Sequence, residues 1–176
     1  MNNIVLCGFM GCGKSTVGRN LARKTGKRFV DMDAYIEKKT GKTISGIFAE
    51  QGEDGFRDIE HEVCLELADK SNLIIATGGG ALTFERNVRV FKGKDIIVLL
   101  DVPLERIRYR LRNDKVRPLL QRPDKNKAMT ELYNKRYPLY KAASDVTVKG
   151  KNTPIQTTRA VMDAVRHFSL DYSDLK

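Results

Sequence analysis

Gly8-Phe9-Met10-Gly11-Cys12-Gly13-Lys14-Ser15 leaves this chain few folds to choose from. The stretch matches G-x-x-x-x-G-K-[ST]. An apolar run, Ile4-Val5-Leu6-Cys7, precedes it, and Val17 and Leu21, one helical turn apart, follow it before a stop at Gly26. A strand–loop–helix corner of this kind is built to hold phosphate. Glycines let the backbone curl until successive N–H groups point inward at phosphate oxygens. The following helix adds the partial positive charge of its N-terminus. Lys14 brings a mobile ammonium to the β- and γ-phosphates, and the Ser15 hydroxyl can ligate Mg²⁺. Cys12, inside the loop, reads as a redox-sensitive thiol or, more simply, as a small side chain tolerated there.

The remaining segments supply a sheet to carry that corner. Short apolar runs at 28–31, 73–77, 96–100 and 146–148 read as strands. Ile96-Ile97-Val98-Leu99-Leu100 is apolar throughout, as a central parallel strand buried on both faces should be. Helical stripes lie between the runs: Phe56, Ile59, Val63 and Leu67, then Leu104, Ile107 and Leu111 behind Pro103. Thr153-Pro154-Ile155-Gln156 has the form of a capping box for a last helix. Strand–helix alternation implies an open parallel sheet with helices on both faces. Residues 112–127 break the pattern. They are basic and interrupted by Pro118 and Pro123, and read as either a functional lid or a solvated loop. The polar tail 169–176 is expected to fray.

A chain of 176 residues fits one domain, and 41% hydrophobic content is too high for a disordered chain. The formal net charge of +10 attracts anions without naming them. The densest basic run, 106–122, holds one aromatic residue, Tyr109, so stacking on single-stranded nucleic acid is not expected. Three cysteines without metal-ligand spacing suggest free thiols in a reducing compartment, and the cytoplasm is the expected location. Neither a signal peptide nor a membrane span is expected. His61 and His167 read as helix-surface residues without a catalytic role.

Several polar groups gather where a ligand of such a sheet belongs, beyond the carboxyl ends of its strands. Asp31 and Asp33 end the second strand two apart, which in extended chain puts both on one face. One can hold magnesium through water while the other accepts a proton from a substrate hydroxyl. Alternatively, Asp33 caps a helix starting at Ala34. Asp101 reads as a magnesium-binding aspartate or, more simply, as the cap of the next helix. Arg57 and Glu60, three apart on one helix, form either a surface ion pair or a carboxylate clamp oriented by Glu60. Gly78-Gly79-Gly80 closes the third strand and permits very close backbone approach. Arg136 stands just before Pro138, which reads as a helix breaker.

Taken in order, GFMGCGKST, VDMD, IFAEQGEDGFRDIE, TGGG, VRPLL and KRYPLY closely resemble the shikimate kinase family, from about Asn3 to Phe168. The resemblance implies a three-layer P-loop NTPase fold like that of the nucleoside monophosphate kinases, with a five-stranded parallel sheet and a mobile lid. It implies transfer of the ATP γ-phosphate to the 3-hydroxyl of shikimate, with Mg²⁺ as cofactor and a monomeric protein. By position, Gly11, Cys12, Gly13, Lys14, Ser15 and Thr16 hold the phosphates, Ser15 ligates the metal, and Asp31 supports it. Asp33 binds the substrate hydroxyls and serves as base. Arg57, Arg136 and Gly79, with Gly78 and Gly80, hold the carboxylate and ring, against which Phe48 and Phe56 pack. Arg117 reaches the ATP phosphates from the lid, and Arg110 with Thr153 and Pro154 flanks adenine. Another small-molecule kinase, such as one for gluconate, and a non-enzymatic nucleotide-binding regulator are the alternatives.

Overall fold

The computed structural model describes residues 2–112 and 123–173. Five parallel strands, β1 (Ile4–Cys7), β2 (Arg28–Asp31), β3 (Leu73–Ala76), β4 (Ile96–Asp101) and β5 (Val146–Lys149), form one sheet in the order β2-β3-β1-β4-β5. Every residue of β1 and β3 is buried, as are the first five of β4, so the three middle strands are covered on both faces. The edge strands β2 and β5 alternate or lie half exposed, which is why they read more weakly in sequence. Each Leu, Ile or Val removed from water in this core contributes about 1.5–3 kcal/mol.

Helices α1 (Lys14–Thr25), α2 (Met32–Thr40), α3 (Ile44–Ala68), α4 (Glu85–Phe91), α5 (Leu104–Leu111), α6 (Lys125–Ala143) and α7 (Pro154–Ser173) make the crossovers. Gly26 ends α1 in the left-handed conformation, as its sequence position suggests. Gly52, with φ of 71°, breaks α3 into two helical segments, so Phe48 and Phe56 face each other across a kink. The capping box of α7 forms as read: Thr153 Oγ1 accepts from the Gln156 N–H, and Gln156 Oε1 accepts from the Thr153 N–H, both at 3.2 Å.

Four local readings change. Helix α6 runs unbroken through Pro138 because Met129 on one side and Tyr140 and Ala143 on the other are buried, and their packing outweighs the lost backbone bond. Residues 125–127, assigned by sequence to the irregular 112–127 stretch, open α6; most of that stretch lies outside the described residues. Helix α7 continues past Phe168 to Ser173. His61 is half-buried, with Nδ1 2.7 Å from Oδ1 of buried Asn87, rather than on the open surface. Among the described residues no helix is long and apolar enough to cross a membrane.

Candidate active site

The strand order places a crevice between the carboxyl ends of β1 and β3, neighbours whose chain continuations leave in opposite directions. The glycine-rich loop follows β1, and the triple glycine follows β3. They face each other across a cleft of about 750 Å³, to which Asp31, Asp33, Phe48, Phe56, Arg57, Glu60, Arg110 and Arg136 also contribute.

The loop end is shaped by glycine. Gly8, Gly11 and Gly13 have φ of 137°, 71° and 102°, values that side-chain-bearing residues rarely adopt. Gly13, at the N-cap of α1, offers no side-chain cap, and the first turn holds no acidic residue. The first N–H groups of α1 are therefore left for an anion. Lys14 Nζ folds over the loop and donates to the carbonyls of Gly8 (2.8 Å) and Phe9 (3.2 Å). Arg110 donates to the carbonyls of Gly11 (3.2 Å) and Cys12 (3.0 Å), so its guanidinium braces the loop at the cleft edge. Cys12 is buried, as are the other thiols, Cys7 and Cys64, and all three are unpaired. Burial pushes the Cys7 thiol up to about 12.

The acidic wall departs from the strand reading. Asp31 is the last residue of β2, but α2 begins at Met32, so Asp33 sits in the first helical turn. Asp33 is neither a continuation of the strand nor the cap of a helix starting at Ala34. Both aspartates still line the cleft. Gly18, whose Cβ position lies 2.5 Å from the Phe29 ring, lets α1 press onto β2, and this brings Ser15 Oγ within 2.6 Å of Asp31 Oδ2. Hard oxygens in that arrangement suit magnesium, which takes one or two protein oxygens and completes its shell with water and phosphate. Among the described residues no group of three or more His, Cys, Asp or Glu could hold a metal alone. Asp101 does not cap α5, whose N-cap is Pro103; it accepts a hydrogen bond from the Tyr137 hydroxyl (3.3 Å) instead.

At the far end Arg57 is 9% exposed and Glu60 1%, so their 2.9 Å contact is a buried ion pair rather than a surface one. Glu53 adds a contact at 3.1 Å, and the rings of Phe56 and Phe84 lie 5.2 and 4.9 Å from the guanidinium carbon. Burial raises the Glu60 carboxyl; the Arg57 guanidinium opposes that shift, and Asp33 nearby adds to it. Arg136 Nη1 donates to the Gly79 carbonyl at 3.2 Å. The three glycines differ. A Cβ on Gly78 would meet Asp33 Oδ1 at 2.7 Å, and one on Gly80 would meet the Arg57 guanidinium at 2.9 Å, whereas one on Gly79 would find nothing closer than 3.7 Å. Gly78 and Gly80 serve the protein's own packing, while Gly79 presents bare backbone to the open cleft.

Among the described residues, Thr153, assigned by position to the adenine end, does not line this cleft. The Thr153 side chain is engaged in the α7 cap between Asn152 and Pro154, which do line it. Arg117 lies outside the described residues. Sequence reading passed over Met10, Ile44 and Thr157, which line the cleft through tertiary packing, and Glu53, whose four-residue spacing from Arg57 was a readable signal.

A family model for shikimate kinase matches residues 10–166. The shikimate kinase of Persephonella marina is 42% identical over 167 residues, covering 94% of this chain and 100% of that relative. That of Aromatoleum aromaticum is 40% identical over 166 residues, covering 94% and 95%. The structure of shikimate kinase from Acinetobacter baumannii in complex with shikimate matches with a TM-score of 0.84 at 40% identity, covering 99% of this chain and 94% of that one. A gluconokinase from Sinorhizobium meliloti, at 16% identity and a TM-score of 0.62, shares the fold alone.

Proposed function

The chain belongs to the shikimate kinase family, and from that premise we propose that it transfers the γ-phosphate of ATP to the 3-hydroxyl of shikimate. The observation that carries this reading is the single cleft in which a phosphate loop, an aspartate pair and two arginines meet. Its volume suits two small ligands lying end to end.

In this reading the triphosphate lies along residues 11–16, held by the loop amides and by Lys14, which leaves its carbonyl partners for the β- and γ-oxygens. Arg57 and Arg136 grip the acceptor's carboxylate, because a planar guanidinium fork matches a carboxylate in geometry and charge. Gly79 admits the ring, and Phe48 and Phe56, stacked with centroids 4.6 Å apart, give it an apolar wall. With the carboxylate fixed, Asp33 is the acid group near the far hydroxyl and accepts its proton as the oxygen attacks. Magnesium, held by Ser15 and supported by Asp31, would neutralise charge on the phosphate oxygens. Lys14 and Arg117 stabilise the transferring group, whose charge is spread over three oxygens.

We infer a monomer from the family resemblance alone, and a cytoplasmic location, which the unpaired thiols suit. An assay coupling ADP release to NADH oxidation, run with shikimate, gluconate and other hydroxy acids, tests the proposal. Turnover should require shikimate; equal rates with gluconate would refute the acceptor assignment.

A further inference from the structure

The carbonyls of the triple glycine are each held differently. Gly78 accepts from the Ala81 N–H (3.3 Å), and Gly80 from the N–H (3.1 Å) and hydroxyl (2.7 Å) of Thr83, all within the turn that follows. Gly79 has no such local bond among the described residues. Its carbonyl accepts from Arg136 and from the hydroxyl of Tyr140, both on α6. A carbonyl oxygen has two lone pairs, and here each has a donor. Tyr140 lies one turn beyond Arg136, is 2% exposed, and shares a void of about 10 Å³ with Phe9, Leu99, Leu100 and Val102. Its ring has no room to swing. Burial raises the phenol well above its ordinary range, with Arg136 beside it opposing the shift, so the hydroxyl keeps its proton and remains a donor.

We propose that Tyr140 is a positioning residue for Arg136: its hydroxyl fixes the Gly79 carbonyl, and that carbonyl fixes the guanidinium at the angle at which it meets the acceptor's carboxylate. The inference rests on the reading of Arg136 as a carboxylate ligand. Without the hydroxyl, the Gly79 carbonyl would keep the guanidinium as its one donor among the described residues, and its flanking turn bonds to Gly78 and Gly80 do not hold the carbonyl itself. Arginine and carbonyl would then shift together, and the fork would lose its aim.

The test is a kinetic cycle of Tyr140→Phe, Arg136→Ala and the double variant. Tyr140→Phe should raise KM for shikimate by roughly 5- to 20-fold, the effect of losing one hydrogen bond near a charged group, with KM for ATP within about twofold of wild type. In the Arg136→Ala background the same change should add less than about twofold, because a group acting through Arg136 has nothing left to act on. An equal effect in both backgrounds overturns the proposal. So does an equal rise in KM for ATP, or a Tyr140→Phe protein that fails to fold, since either makes the hydroxyl a general structural group. A raised KM in Arg136→Ala with none in Tyr140→Phe overturns the proposal alone. An unchanged KM in Arg136→Ala overturns the carboxylate reading and the proposal with it.

Discussion

The Ser15 hydroxyl donates to Asp31 Oδ2 over 2.6 Å, joining the start of α1 to the end of β2. Because the proton points at Asp31, the lone pairs of Oγ point away from it and remain available to a cation. Removing the charge from Asp31 weakens that arrangement without dismantling the loop. Asp31→Asn should raise the Mg²⁺ concentration needed for half-maximal activity by roughly tenfold, the usual scale for loss of a group supporting a metal ligand. A magnesium titration at saturating ATP reads this directly; an unchanged midpoint removes Asp31 from the metal site.

Asp33, proposed as the base, should fail differently. Asp33→Asn keeps size and hydrogen-bonding capacity but cannot take a proton. It should lower kcat by at least about 100-fold, while ATP still binds with near-normal affinity by calorimetry. Near-normal turnover would show that the acceptor hydroxyl loses its proton elsewhere.

Which of these assignments could be read from the sequence depended on how local their causes are. The bounds of β1 and β2 follow from apolar runs cut off by Gly8 and by the first acidic residue, and both come out as written. The cap of α7 rests on residues three apart and also forms as written. Asp33 illustrates the limit. Its place in the cleft follows from topology, but the helical turn that puts it there begins at Met32, two residues before the start at Ala34 that the capping alternative assumes. Pro138 is a local stop signal overruled by burial of residues on either side. Tyr140 closes the KRYPLY stretch, but its partner is not legible there, since its hydrogen bond to Gly79 spans 61 residues of chain.

If Arg57 grips the acceptor's carboxylate as proposed, its buried pair with Glu60 ties substrate affinity to protonation. Arg57→Ala should weaken shikimate binding by about 2–5 kcal/mol and also lower stability by about 3 kcal/mol, because Glu60 is left buried without its partner. Burial raises the Glu60 carboxyl, so acidification protonates it at higher pH than it would an ordinary glutamate, and a neutral Glu60 no longer orients the guanidinium. KM for shikimate should therefore climb as pH falls through that raised value, and Glu60→Gln should flatten the climb. A profile with the same slope in both proteins would detach Glu60 from substrate binding.

Gly79 separates a requirement for substrate from a requirement for folding. With its nearest neighbour 3.7 Å from the Cβ position, Gly79→Ala should fold with a Tm within a few degrees of wild type, yet lose shikimate affinity by at least about tenfold. Gly80→Ala, whose Cβ falls 2.9 Å from the Arg57 guanidinium, should lose both. Thermal melts and shikimate titrations on the two variants decide it. A Gly79→Ala enzyme with normal affinity would mean that the acceptor does not pass over this backbone.

Asp95 allows a test of stability far from the chemistry. It precedes β4 at the end of the sheet opposite the cleft, is 3% exposed, and accepts from the Asn3 N–H at 2.9 Å. Burial raises its carboxyl above the usual range, and the hydrogen bond from Asn3 offsets only part of that. An acid whose folded pKa exceeds its unfolded value of about 4 favours the folded state when protonated. That contribution is complete below the unfolded value and is lost as pH rises through the folded one. Asp95→Asn cannot titrate, so the difference in Tm, wild type minus variant, should be greatest in acid and shrink as pH rises. Glu60 shifts in the same sense but is present in both proteins, so the difference isolates Asp95. Activity at neutral pH should stay within about twofold, because among the described residues none at this end of the sheet lines the cleft. A difference in Tm that widened with pH would mean that the buried carboxylate is stabilised in its charged form.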